Sequence, residues 1–129
     1  MDTGQIILYI VVAIAAYFVI RKILLIISVK HYSPADAFNK LRKESSALFL
    51  DVRTAGERKD QKINGSLHIP LPEINTRYNE LIKFKGKEII CYCRTGNRSL
   101  SAAAKLKRQG FDVANLKGGI TQWNSAGLR

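Results

Sequence analysis

A cysteine-led loop between an apolar run and an amphipathic run constrains this chain most. Residues 88–93 (EIICYC) are predicted to form a buried strand, and residues 100–109 (LSAAAKLKRQ) a helix that Gly110 ends. The loop between them reads Cys93, Arg94, Thr95, Gly96, Asn97, Arg98 and Ser99. Where a strand turns into a helix, successive backbone N–H groups can surround one point, and the helix N-terminus faces it. We therefore predict an anion-binding cradle at this loop.

Cys93 is the candidate nucleophile of the loop. Thiolate is the reactive form of cysteine, and such a cradle favours an anion. A small buried cysteine is the commoner case, but it requires neither the turn-forming pair Gly96-Asn97 nor two arginines, Arg94 and Arg98. The pattern favours chemistry over packing.

Strands and helices alternate along the rest of the chain. Strands are predicted at residues 29–32, 47–52, 67–69, 88–93 and 113–116, and helices at 34–43, 54–60, 73–83, 100–109 and 120–125. This order predicts an α/β, doubly wound, mostly parallel sheet with helices on both faces. Ligands of such sheets bind beyond the carboxyl ends of strands, where Cys93 lies. The predicted core consists of Leu48, Leu50, Ile89, Ile90, Ala103, Leu106 and Val113.

The N-terminal segment is apolar on every side. Residues 6–20 contain no charge, and residues 23–27 are apolar again after Arg21-Lys22. Because a bilayer core needs roughly 20 helical residues, we predict a transmembrane anchor over 1–28 whose span extends to about Leu25 or Ile27, followed by a domain over 29–129. A cleaved signal peptide would start with a basic region, whereas this chain carries Asp2.

Charge suggests how the chain is oriented. Arg21 and Lys22 follow the span and Asp2 precedes it, which predicts an external N-terminus and a cytoplasmic domain, in a bacterial inner membrane for instance. From Lys30 onward lie 19 of the 21 basic and 9 of the 10 acidic residues, a net charge of +10. A membrane surface is the simplest partner for this charge. No nucleic-acid motif accompanies it.

Four motifs, in order and at matching spacing, resemble the single-domain rhodanese (thiosulfate sulfurtransferase-like) family. They are FLDVRTAGE at residues 49–57, INGSLHIP at 63–70, CRTGNRS at 93–99 and GGITQWNSAGL at 118–128. The resemblance covers the chain from about Val29 onward. It departs from the family at Gln61 and Lys62, where Gly-His is common, and at Asn64 and Ser66, where Pro and Ala are common. These departures bear on substrate preference.

The resemblance implies a membrane-anchored sulfurtransferase. Sulfane sulfur would pass from thiosulfate or a persulfide donor, through a persulfide on Cys93, to cyanide or a cellular thiol. Substrate binding would fall to Arg94, Thr95, Gly96, Asn97, Arg98 and Ser99, with Ser99 also able to cap the helix. Loop support would fall to Asp51, Arg53 and Glu57. Arg98 has a second interpretation, in which it pairs with Asp51 or Glu57 rather than with substrate. No cofactor and no metal site is expected.

Two other functions remain open. A phosphatase or arsenate reductase of the related fold resembles a Cys-x5-Arg loop, one residue longer than the four residues between Cys93 and Arg98. A membrane-tethered interaction module with little catalytic role could share the fold. Among further candidates, His31 and His68 lie outside any catalytic motif, and Cys91 shares a strand face with Cys93 and is predicted to pack in the core.

Overall fold

The computed structural model describes residues 1–43 and 46–129, which form one long apolar helix followed by an α/β domain. The α-helices are α1 (Thr3–Ser28), α2 (Pro34–Lys43), α3 (Ala55–Asp60), α4 (Ile74–Arg77), α5 (Asn97–Arg108) and α6 (Gly119–Ser125). The strands are β1 (Lys30–Tyr32), β2 (Ala47–Asp51), β3 (Leu67–His68), β4 (Glu88–Tyr92) and β5 (Val113–Leu116). Two 3-10 helices flank α4, at Leu71–Glu73 and Tyr78–Phe84.

The five strands of the described residues form one parallel sheet in the order β1-β5-β4-β2-β3. β4 is central and buried along its whole length, with Ile89 opposite both Leu48 and Val113. Cys93 follows the last residue of β4, so the candidate nucleophile lies at the carboxyl edge of the middle strand. The predicted fold class and the position of Cys93 are confirmed.

The two faces of the sheet carry separate cores, because side chains alternate along a strand. Ile89 and Cys91 of β4 pack with α4 and α5, whereas Ile90 and Tyr92 pack with α2 and α6. Helices therefore cover both faces, as predicted. Of the predicted core residues, only Leu48 is half-buried rather than buried.

The single helix predicted over residues 73–83 was wrong. A four-residue α-helix lies there between two 3-10 helices. In a 3-10 helix, residues three apart lie on one face. Tyr78, Leu81 and Phe84 accordingly contact the core, while Ile82 is 52% exposed.

The helix after the cysteine loop begins at Asn97 rather than at residue 100, and its N-cap residue is Gly96. The expectation that Ser99 caps it was therefore wrong: Ser99 lies in the first turn and is fully buried.

α1 is the one helix of the described residues that is long and apolar enough to cross a membrane. None of its residues is buried. Its last turns nevertheless touch the domain: Leu25 packs against the core beside α5, and the Lys107 ammonium donates a hydrogen bond to the Ser28 carbonyl. A single residue, Val29, connects α1 to β1. The expected apolar span to Leu25 or Ile27 thus overlaps the part of α1 that contacts the domain.

Candidate active site

The loop after β4 curls around the sulfur of Cys93. Its turn depends on Gly96, whose φ of +110° lies in the region that favours glycine. This conformation directs the Gly96 N–H at the Cys93 Sγ, 3.0 Å away. α5 then begins at Asn97, so its N-terminus faces the same sulfur.

A second glycine, Gly119, allows the start of α6 to approach the backbone of the loop closely. A Cβ on Gly119 would lie 2.5 Å from the carbonyl oxygens of both Cys93 and Arg94, too close for any other residue without movement of the backbone. Those two carbonyls instead accept hydrogen bonds from the N–H groups of Ile120 (2.9 Å) and Thr121 (3.2 Å). Because α6 binds the carbonyls, the loop turns its N–H groups inward. This contact explains the second glycine of the Gly-Gly pair in the fourth sequence motif.

Cys93 is buried, and burial alone would raise the pKa of its thiol. The Ser99 hydroxyl and the backbone amides of Ser99, Gly96 and Thr95 oppose this effect. They outweigh it and hold the pKa of Cys93 below that of an ordinary thiol. The cradle therefore favours thiolate without a neighbouring base. Of the predicted loop residues, Ser99 contributes its hydroxyl as well as its amide.

A chain of polar groups leads from the sulfur to α1. Ser99 Oγ lies 3.3 Å from Cys93 Sγ and 2.6 Å from Asn115 Oδ1. Asn115 Nδ2 lies 3.3 Å from His31 Nδ1, and His31 Nε2 lies 2.8 Å from the Ile26 carbonyl oxygen. The hydroxyl has one hydrogen, so it donates to the sulfur or to Asn115 at any moment.

Asn115 was missed by sequence reasoning. The available signal was a polar side chain in the otherwise apolar strand VANL, where Asn115 is buried. His31 is connected to the Cys93 sulfur only through Asn115 and Ser99 in the hydrogen bonds of the described residues, and His68 binds the Arg53 carbonyl.

Arg98 binds an acidic residue of α3. Its guanidinium makes a two-pronged ion pair with the Glu57 carboxylate, at 2.7 and 2.8 Å. This pair lowers the pKa of Glu57 to about 2. Of the two partners considered for Arg98, the structure selects Glu57, which also closes a capping box with Thr54 at the start of α3.

Asp51 and Arg53 lie beneath the loop as a buried ion pair. The Arg53 guanidinium donates to both Asp51 oxygens, at 3.0 and 2.9 Å, and Arg58 approaches the same carboxylate at 3.3 Å. Burial would raise the pKa of Asp51, but the hydrogen bonds from Arg53 lower it overall. Arg53 also donates to the Gln61 carbonyl at 2.7 Å, so the pair connects β2 to the segment after α3.

An open cavity of about 430 Å³ adjoins the loop. Arg94 is exposed and lines this cavity together with Glu57 and Gln61. The cavity thus offers a cation to an incoming anion, and one of its walls carries Gln61, a position where the sequence departs from the family.

Cys91 differs from Cys93 although both face the same core cluster. Complete burial raises the pKa of Cys91 to about 12, so it remains a thiol. Within residues 1–43 and 46–129, no three His, Cys, Asp or Glu side chains are grouped so that they could hold a metal ion.

Comparisons with known proteins agree with this geometry. Residues 34–126 match the Rhodanese-like domain family. A sulfurtransferase of Allochromatium vinosum is 37% identical over 90 residues, which cover 69% of this chain and 82% of that protein. Other curated relatives are longer, and the chain spans 45% and 49% of two of them.

Two solved structures illustrate the fold. A Rhodopseudomonas palustris protein, described as a possible tyrosine phosphatase, superimposes with a TM-score of 0.73 at 27% identity, covering 81% of this chain and 86% of its own. A thiosulfate sulfurtransferase from Pseudomonas aeruginosa gives 0.70 at 25% identity, covering 79% of this chain and 20% of its own. The relatives support sulfur transfer in general terms, and the chain belongs to the rhodanese-like domain family.

Proposed function

We propose that this protein is a membrane-anchored sulfurtransferase that carries sulfane sulfur on Cys93. The thiolate attacks the outer sulfur of thiosulfate, a new S–S bond forms, and sulfite leaves with the electron pair of the old one. A persulfide donor would leave as a thiolate in the same way. Cyanide or a cellular thiolate then attacks the outer sulfur of the Cys93 persulfide, which releases thiocyanate or a new persulfide and regenerates the Cys93 thiolate.

The observation that carries this proposal is the thiolate-stabilising cradle. The same N–H groups that favour the thiolate would favour the negative charge on a persulfide, so they assist both half-reactions. Arg94, exposed at the adjoining cavity, would attract an anionic donor, because the planar guanidinium suits oxyanions.

The length of the loop argues against the phosphatase alternative. Four residues separate Cys93 from Arg98, and both terminal nitrogens of the Arg98 guanidinium bind the Glu57 carboxylate. A phosphoryl group would need an arginine at its own oxygens. A membrane-tethered interaction module would not need a loop that stabilises a thiolate, so the cradle favours the sulfurtransferase over this alternative.

For α1 we propose a membrane span with an external N-terminus and a cytoplasmic domain. A core helix of a soluble protein is mostly buried, whereas none of α1 is. Arg21 and Lys22 lie on the domain side of the uncharged run, as expected for the cytoplasmic side. Protease should reach the domain in sealed inside-out vesicles and not from outside intact cells.

Mass spectrometry of the full chain after incubation with thiosulfate tests the chemistry. We expect a gain of one sulfur on Cys93 that cyanide removes. Cys93→Ser should lose both the adduct and sulfur transfer, since a hydroxyl is a far weaker acid and a poor sulfur acceptor.

Cys91→Ala is the matched control, because it removes the other thiol of the same strand face. It should keep most of the activity and the adduct. An adduct on Cys91, or a Cys91→Ala variant as inactive as Cys93→Ser, would contradict the single-thiol mechanism.

A further inference from the structure

We propose that the phosphate of an anionic phospholipid binds in a pocket between α1 and α5, where the apolar helix meets the domain. The pocket has a volume of about 330 Å³, within the range of small-molecule sites. Two cations come from α1, Arg21 and Lys22, and two from α5, Lys105 and Arg108. This inference rests on the membrane anchoring proposed above and adds to it a defined headgroup site.

The spacing of these residues creates the pocket. On α1, Arg21 and Lys22 lie one turn before Leu25, which packs against the domain core. On α5, Lys105 and Arg108 are three residues apart and therefore share a face. The contact between the two helices brings both pairs of cations to a single concave surface.

The four cations have no acidic partner among the residues that the structure describes. None of the ion pairs found there includes Arg21, Lys22, Lys105 or Arg108. The one hydrogen bond in the group, from Arg108 Nε to the carbonyl of Ala104 in its own helix (3.4 Å), leaves the rest of that guanidinium available. Like charges gathered in one pocket repel each other, so an anion is the ligand that the pocket favours.

The pocket wall distinguishes a lipid from a free anion. Phe18 and Leu25 line it beside the cations, and the uncharged run of residues 6–20 continues directly from it. A lipid phosphate over the cations would place its glycerol and acyl chains against Phe18 and along this run. A free phosphate would leave the same apolar wall in water. The pocket therefore lies at the level of the headgroups, with the hydrocarbon on the side of Ile20.

The test uses the full chain reconstituted in phosphatidylcholine nanodiscs that contain a minority of phosphatidylglycerol. Native mass spectrometry after release counts the lipids retained per chain. We expect one phosphatidylglycerol to be retained in preference to phosphatidylcholine. The double variant Lys105→Gln/Arg108→Gln should lower that preference about thirtyfold, the ratio that two lost attractions of the usual size at an anionic membrane would give.

The double variant Lys59→Gln/Lys87→Gln removes the same charge at exposed residues that do not line the pocket, and it should keep the preference. Equal losses in both double variants would show diffuse surface attraction and overturn the site. If inorganic phosphate displaced the lipid at a concentration equal to that of phosphatidylglycerol, the pocket would be a site for free anions. That result would overturn the lipid assignment.

Flotation of the full chain with vesicles of the same lipids tests the membrane anchoring separately from the headgroup site. If the chain does not float with vesicles, the anchoring proposal fails and the headgroup site fails with it. If it floats but shows no preference for phosphatidylglycerol, the headgroup site alone is overturned.

Discussion

At the residue scale, two cysteines on one strand face show how local hydrogen bonds decide reactivity. Cys91 and Cys93 both touch the same core cluster, and burial would raise the pKa of each. Only Cys93 has the Gly96 amide and the Ser99 hydroxyl near its sulfur. Cys91 is therefore an inert thiol and Cys93 a candidate nucleophile because Cys93 lies at the end of the strand, where Gly96 and Ser99 of the loop reach its sulfur.

The Ser99 hydroxyl is predicted to lower the pKa of Cys93 measurably. A hydrogen bond to a charged group contributes about 1.5–3 kcal/mol, so Ser99→Ala should raise this pKa toward that of an ordinary thiol. The ultraviolet absorbance of thiolate as a function of pH measures it. Ser101→Ala, two residues further along α5 and away from the sulfur, should leave it unchanged. A Ser99→Ala titration that overlays the parent would remove Ser99 from the cradle.

Replacing the two loop arginines is predicted to have different effects on activity and on stability. Arg94→Ala should lower kcat/KM for thiosulfate by one to two decades with unchanged thermal stability, because Arg94 is exposed and would lose only its attraction for the donor. Arg98→Ala should in addition lower the free energy of unfolding by about 1 kcal/mol, since its half-exposed ion pair with Glu57 braces the loop.

Glu57→Gln is the control that tells the two effects apart. It breaks the ion pair between Arg98 and Glu57 and leaves both arginines in place, so it should reproduce the stability loss of Arg98→Ala. Unchanged kinetics in both arginine variants would contradict the electrostatic account of donor binding.

At the element scale, the order of strands and helices could be predicted because each carries its own pattern. The apolar run before Cys93 and the Gly110 stop after α5 are local signals, and both strand and helix are present. The 3-10 helices were not predictable from periodicity alone. Ile74, Tyr78 and Leu81 suit either helix type, and only the packing of Phe84 against the core shows which forms.

The cradle could be predicted in outline, while its supporting residues could not. Cys93, Gly96 and Arg98 lie within six consecutive residues of the sequence, so their turn is a local property. Asn115 reaches Ser99 only because β5 pairs with β4 and places Asn115 opposite Cys91. That neighbourhood depends on strand order, which no local pattern encodes.

The buried end of β4 supplies a stability prediction. Glu88 is 3% exposed and binds Lys30 and Lys40, each at 2.9 Å, and the Tyr32 hydroxyl at 2.8 Å. Burial would raise the pKa of Glu88, but these partners lower it below its ordinary value of 4.5. Glu88→Gln should therefore cost about 2 kcal/mol of unfolding free energy at neutral pH.

The pH dependence of that cost has a definite sign. A carboxyl whose pKa is lowered by folding contributes stability above its unfolded pKa, and that stability is lost as pH falls through the folded pKa. The gap between the parent and Glu88→Gln should thus be complete at neutral pH and shrink below pH 4.5. Thermal unfolding of the full chain in detergent at several pH values measures it. A gap that stays constant in acid would show that the ionised carboxylate is not its source.

At the scale of the whole molecule, the membrane span proposed for α1 would determine which end of the sheet meets the membrane. Ser28, at the end of α1, contacts Lys107 in the last turn of α5, while residues 18–25 lie beside Ser101 to Arg108. We infer from these contacts that the two helices run side by side in the same direction. The N-terminal half of α1 then extends beyond the start of α5, which is the end of the domain where the Cys93 loop lies.

We therefore predict that the carboxyl edge of the sheet faces the bilayer and that its opposite edge faces the cytoplasm. Fluorescent labels at Thr121→Cys, beside the loop, and at Lys87→Cys, at the start of β4, would report the two edges in a Cys93→Ser background. Nitroxide-labelled headgroups should quench the Thr121→Cys label more strongly, because one residue, Val29, joins α1 to the sheet and leaves little freedom to rotate. Stronger quenching at Lys87→Cys would reverse this orientation. Thiosulfate would then approach Cys93 from open cytoplasm rather than along the membrane surface.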